Sequence, residues 1–184
     1  MTPNLHDLII NYNSMLLENN TNITILDYVN AINDQFYKID ISFINELLDY
    51  VIKDDFCIPH TLLVKYGILS EKNLSTHVKD MLDQYGMIKD EDFKLSNVRE
   101  SVFGGCTHKI NYLLHPDTFK LCLMRSKNER KYAKYYILLE RCIKYYNDYQ
   151  IDMLKQAVIS LTEKIEDKTI ELNEVKEVVV EKDG

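Results

Sequence analysis

Between residues 120 and 144 the chain carries Lys120, Arg125, Lys127, Arg130, Lys131, Lys134, Arg141 and Lys144 against Glu129 and Glu140 alone. That is an excess of six positive charges in a protein whose formal net charge is −7. Long cationic side chains at this density suit phosphate oxygens, which supply affinity without sequence information. Tyr132, Tyr135, Tyr136, Tyr145 and Tyr146 are interleaved with them. Phenol rings can stack on bases or hydrogen-bond to them, and at helical spacing they also build core. An acidic protein surface would meet the same cations, so nucleic acid and a protein partner are both candidates.

Other chemistry finds no such support. The chain has no GxxxxGK[ST] or GxGxxG loop, no HExxH and no GxSxG elbow. The paired acids Asp54-Asp55 and Glu91-Asp92 read as solvated loop charges. Cys57 with His60 and Cys106 with His108 would make four zinc ligands, but their spacings match no common zinc motif. We therefore expect no catalytic residues, no metal and no cofactor.

The basic segment needs two helices to hold it. Pro116 behind His115 is suited to a helix start, because its fixed φ and missing N–H match the first helical position. Phe119, Leu123 and either Cys122 or Met124 then recur at helical spacing. Ser126-Lys127-Asn128 breaks the pattern, and Tyr132, Tyr136, Leu139, Ile143 and Tyr146 resume it. Ahead of this pair, residues 93–98 (FKLSNV) and 109–114 (KINYLL) read as strands. Gly104-Gly105 between them supports a hairpin with a loop of several residues.

Three amphipathic helices precede the hairpin. The first begins at Thr2-Pro3 and runs through Leu16. The second covers 25–36 with Leu26, Val29, Ile32 and Phe36 on one face, and the third covers 42–52 with Ser42 as its start signal. Phe56-Cys57-Ile58 fits a small strand. Residues 59–66 read as a helix stopped by Gly67, and residues 74–85 as one capped by Ser70 or Asn73 and stopped by Gly86. Two short helices so joined have the spacing of a helix-turn-helix.

Beyond Tyr146, apolar residues follow a heptad. Ile151, Val158, Ile165, Leu172 and Val179 fall at a, and Leu154, Leu161, Lys168 and Val175 at d. β-branched residues at a with Leu at d favour a parallel two-stranded coil, and one polar core residue fixes register. A homodimer through this segment is expected.

Composition sets the frame. Of 184 residues 46% are hydrophobic and 28% charged, which fits an ordered chain. Residues 53–144 are net basic between acidic ends. No stretch has the length and apolarity of a bilayer span, no secretory leader pattern is present and no CxxC pair occurs. We expect no membrane association and an intracellular location.

The segments FCIPHTLLVKYGIL (56–69), DQYGMIKDEDFKLSNV (83–98) and YLLHPDTFKLCLMRSKNERKYAKYYILLERCIKYYNDYQ (112–150) carry a resemblance. They look like the MSV-type domain of insect iridoviruses and entomopoxviruses. More distantly they resemble phage AntA antirepressor and KilA-N/Bro-N domains, in which a similar helix pair follows a short hairpin. Pro116, Phe119, Lys120, Arg125, Tyr132, Ala133, Tyr135, Tyr136 and Glu140 fall in order at the family's spacing. The resemblance covers roughly residues 25–150 and implies a viral DNA-binding or regulatory module acting in an infected host cell. Relatives often add a GIY-YIG nuclease; no such pair occurs here, so no nuclease is implied.

The expected architecture is thus α+β and mostly helical. An N-terminal helical segment (1–24) precedes a compact helical domain with a small β-hairpin (25–150), and a long C-terminal coiled-coil helix (151–184) follows.

Overall fold

The computed structural model describes residues 4–127 and 130–184, with the side chains of 100–102 and 106–108 left out of the description. The fold is α+β and mostly helical, as its patterning predicts. Its helices are α1 (Leu5–Glu18), α2 (Ile25–Ile32), α3 (Ile41–Lys53), α4 (Leu62–Lys65), α5 (Leu74–Gln84), α6 (Pro116–Arg125) and α7 (Arg130–Asp183). The strands are β1 (Ile58–Pro59), β2 (Phe93–Val102) and β3 (Gly105–Leu114). They form one antiparallel sheet in the order β1-β3-β2. The chain divides into two compact units, Met1–Tyr28 with Ile143–Gly184, and Val29–Cys142.

In the first unit, α1 starts where the Asn4 carboxamide accepts the Asp7 N–H at 2.9 Å. The expected Thr2-Pro3 start lies outside the described residues. Ile9 and Leu16 are buried, as are Tyr28 and Tyr149. The Tyr28 hydroxyl donates to Asn13 Oδ1 at 2.7 Å, and Asn13 Nδ2 donates to the Tyr145 carbonyl at 3.1 Å. The Tyr149 hydroxyl donates to the Thr21 carbonyl, and its ring lies parallel to that of Tyr28 with centroids 6.2 Å apart. Tyrosines here fill core while satisfying polar groups that burial would otherwise penalise.

From Leu154 onward every residue of α7 is exposed. The helix is not packed back on a domain, and its apolar stripe faces solvent, with Leu154 and Ile165 each 66% exposed. Among the described residues no helix is long and apolar enough to cross a membrane.

The second unit is built on Phe43, Ile44, Leu47 and Leu48 of α3, Leu63 of α4, Val78 and Leu82 of α5, and Phe119, Cys122 and Leu123 of α6. Cys122 therefore completes the inner face of α6, while Met124 is exposed. Several local expectations change. The helix expected over 25–36 turns into a π-helix at Asn33–Tyr37. There the buried Asn33 side chain bonds both the N–H and the carbonyl of Ile39, an alternative to helical pairing that widens the last turn. The cap of α3 is Asp40, not Ser42; its carboxylate accepts the Ser42 N–H at 2.9 Å. Asn73 stands at the N-cap of α5 in the left-handed region and makes no capping bond.

The hairpin is longer than the alternation of apolar residues suggests. Pairing continues from Val98↔Lys109 to Val102↔Gly105, so the loop is only Phe103-Gly104 and not several residues. Backbone pairing does not itself need an apolar alternation to continue. Gly104, at φ +100°, supplies the positive φ that so tight a turn requires.

Burial in this unit has a pH signature. It pushes the Cys122 thiol up to about 12, as it does the Cys142 thiol. It also raises the Tyr136 phenol and the Tyr66 phenol, the latter helped by donation to Glu46. Unfolded thiols and phenols ionise as pH passes 9.0 and 10.0, while the folded chain keeps these protons. The folded state then binds more protons, so stability falls as pH rises. Urea midpoints are expected to be flat from about pH 7 to 8.5 and to fall steeply above pH 9. Each such group loses about 1.4 kcal/mol per pH unit between its two values.

Candidate nucleic-acid interface

The α6–α7 corner is where the basic residues gather. Phe119, Cys122 and Leu123 hold one face of α6 in the core, which leaves Arg125 exposed at its end. Ser126 then takes an extended conformation and donates its N–H to Cys122 at 3.1 Å, stopping the helix. Asn128 and Glu129 lie outside the described residues. α7 restarts at Arg130, and Ala133, Tyr136, Leu139 and Cys142 are its buried positions. Tyr132, Ile143 and Tyr146 are only half-buried, so the inner face is rotated slightly from the expected stripe.

Burying that face turns Arg130, Lys131, Lys134 and Arg141 outward, and all four are exposed. Arg130, Lys134 and Arg141 stand at steps of four and seven, one row along the helix. Lys131 Nζ lies 4.8 Å from the Tyr132 ring centroid. Arg125 places its guanidinium 4.7 Å from the Tyr85 centroid and donates to the Tyr85 carbonyl at 3.3 Å. The ring and the carbonyl orient Arg125 without neutralising it. Lys127 is exposed beside it, on a groove of about 440 Å³ that Asp80, Gln84 and Tyr85 also line.

Lys120 behaves differently. Its ammonium sits 2.6 Å from Glu140, and both side chains are about two-thirds covered. The pair ties α6 to α7, and its charge is offset where it stands. Lys144 is exposed too, but it belongs to the other compact unit.

The first turn of α7 holds no acid and begins with two cations. Positive side chains there oppose the helix dipole, at about 0.3–1 kcal/mol each.

A second exposed polar surface was not singled out from sequence. α5 packs on β3 and turns Ser75, Thr76, His77 and Lys79 to solvent. Between α5 and β3 lies another groove of about 440 Å³, lined by His60, Glu71, Asn73, Ser75, Lys109 and Asn111 among others. His60 is buried and held below its usual pKa by desolvation. Its Nδ1 lies 3.1 Å from the Tyr112 amide nitrogen and 3.3 Å from the Tyr112 carbonyl oxygen. The available sequence clue was the helix-turn-helix spacing of residues 59–66 and 74–85.

Cys57, Cys122 and Cys142 are free thiols, and the side chains of Cys106 and His108 lie outside the description. Among the described residues no group of three His, Cys, Asp or Glu side chains is placed to hold a metal. No family model, curated protein or solved structure matches the chain.

Proposed function

We propose that this chain is a non-enzymatic, duplex-DNA-binding module of the MSV-type or KilA-N-like class, serving viral regulation inside an infected cell. The observation that carries the reading is the exposed cation cluster at the α6–α7 corner, Arg125, Lys127, Arg130, Lys131 and Lys134 with Arg141 farther along. These residues sit in a chain that is acidic elsewhere. The exposed charges of Arg125, Lys127, Arg130, Lys134 and Arg141 can meet phosphates, and phosphate contacts fix a protein on DNA with little sequence preference.

Titration with labelled duplex at several salt concentrations tests this. With about four to six phosphates neutralised, log affinity against log salt should have a slope of about −4 to −5. No binding at 50 mM salt, or binding insensitive to salt, would sink the reading. The double change Arg130→Ala/Lys134→Ala should weaken binding equally on all sequences and flatten the slope by about 2. It should leave stability unchanged or raised by a few tenths of a kcal/mol, because the dipole penalty is relieved. Lys131 is left out of that variant because its contact with Tyr132 mixes the two effects.

A second reading is an antirepressor-like interaction protein that oligomerises through its C-terminal helix and offers the corner to an acidic partner. The uncovered apolar stripe of α7 favours it. The two readings separate in one experiment, since a protein-only module would show no salt-dependent affinity for duplex.

A further inference from the structure

The second unit carries a pattern that the basic corner does not explain. Its elements run α3, β1, α4, α5, β2, β3, with the strands in the order β1-β3-β2. A helix pair followed by a hairpin whose inner strand pairs with a short earlier strand is the order of a winged helix. Its departure is the α4–α5 connection, eight residues from Tyr66 to Asn73, where the simplest helix-turn-helix uses three or four.

We propose that α5 is the helix that enters the major groove of duplex DNA, and that the β2–β3 hairpin reaches the neighbouring minor groove with Phe103 at its tip. This rests on the DNA-binding reading above and adds to it the surface that meets the bases.

Three observations carry it. The first is Phe103, the most exposed large apolar residue described, at 111% of its reference area. Nothing in its own unit covers it, and it occupies the two-residue turn at the end of a long ribbon. Apolar side chains on such projections are used as wedges between base steps in the minor groove. The second is reach. From Ile110, where β3 lines the groove beside α5, five residues lead to Gly105. At about 3.3 Å per residue that is roughly 17 Å, enough to pass from a major groove about 12 Å wide across one phosphate backbone.

The third is charge. Lys72 precedes α5, and Ser75, Thr76 and Lys79 are exposed along its first two turns, the end by which recognition helices contact bases. Lys109 and Glu71 line one groove with Ser75, and Arg125 with Lys127 line the other with Gln84. Arg125 and Lys127 thus border α5 on one side, where a phosphate strand flanking a major groove would run. The acids Asp80 and Asp83 lie in the second half of α5, and Asp80 lines the same groove as Arg125 and Lys127.

The test uses the full chain and a 30-base-pair duplex carrying 2-aminopurine. Two variants are compared with wild type, Phe103→Ala and Lys79→Glu, neither of which removes a buried group. Melting should be unchanged for both. Wild type should raise 2-aminopurine fluorescence by unstacking a step, and Phe103→Ala should abolish that rise and weaken binding about fivefold to tenfold. Lys79→Glu should weaken binding more than tenfold. If both variants bind as wild type while Arg130→Ala/Lys134→Ala does not, the groove assignment falls and the phosphate-binding corner stands. Tighter binding of single strands than of duplex also overturns it. Absence of any duplex binding removes both readings together.

Discussion

Replacing Tyr136 by alanine is expected to cost about 3–5 kcal/mol of unfolding free energy, the range for truncating a large buried aromatic. Tyr136 is 1% exposed, with its ring 6.4 Å from that of Phe119 and its hydroxyl donating to the Pro116 carbonyl at 3.1 Å. One side chain thus pins the start of α6 to the second turn of α7, the two helices that define the basic corner. The loss is of the same order as the whole stability of a small domain, about 5–15 kcal/mol. Tyr136→Phe separates the contributions. It removes only the hydroxyl and should cost about 1 kcal/mol, the usual net value of a hydrogen bond. Urea unfolding followed by near-ultraviolet circular dichroism measures both. A cost below about 1.5 kcal/mol for the alanine variant would mean that the α6–α7 packing is not what holds the corner.

The reading of Tyr136 as core shows what was legible in the sequence. Local rules worked where one element decides the outcome. Pro116 with His115 marked the start of α6, and Gly67 and Gly86 marked the ends of α4 and α5, where both adopt positive φ. The heptad after Tyr146 predicted an unbroken helix, and α7 runs to Asp183. The ambiguity between Cys122 and Met124 could not be settled locally, because a one-step rotation of α6 is decided by what it packs against. Other features depended on partners far along the chain. Glu140 offsets Lys120 from twenty residues away, and Tyr85 orients Arg125 from forty. A count of charges along the sequence treats Lys120 and Arg125 alike, although among the described residues only Lys120 has a counter-charge in contact. The π-turn at Asn33 and the Asp40 cap were missed for the opposite reason. Each rests on a side chain competing with helical backbone bonds over two to six residues, and the apolar pattern gives no sign of it.

Ending the chain after Met153 is expected to leave a folded monomer that binds DNA at least about tenfold more weakly than the full chain. The cut keeps Tyr149 and its bond to Thr21, and Met153 is the last half-buried residue of α7. What it removes is fully exposed. From Ile151 to Val179 the stripe extends about 43 Å at 1.5 Å per residue. Leu161, Leu172 and Val175 are each more than half exposed along it. A single helix gains nothing from such a stripe, whereas a second copy in parallel register buries it, with Ile151, Val158, Ile165, Leu172 and Val179 at a. Glu171 at g then faces Lys176 at e of the second copy, the one favourable pair of that kind. Lys168 at d weakens the seam. In one chain it already meets Glu171 at 2.8 Å, so the pair across strands competes with one along the helix. So short and interrupted a coil is expected to dimerise only at micromolar concentration. Two basic corners on one particle raise avidity through effective concentration, by up to about 10²–10⁴ when geometry permits both contacts. Sedimentation equilibrium of the full chain and of the chain ended at Met153 decides the matter. A full chain that stays monomeric at 100 μM or so, or a shortened chain that binds DNA as tightly, would remove the coil and the avidity argument with it.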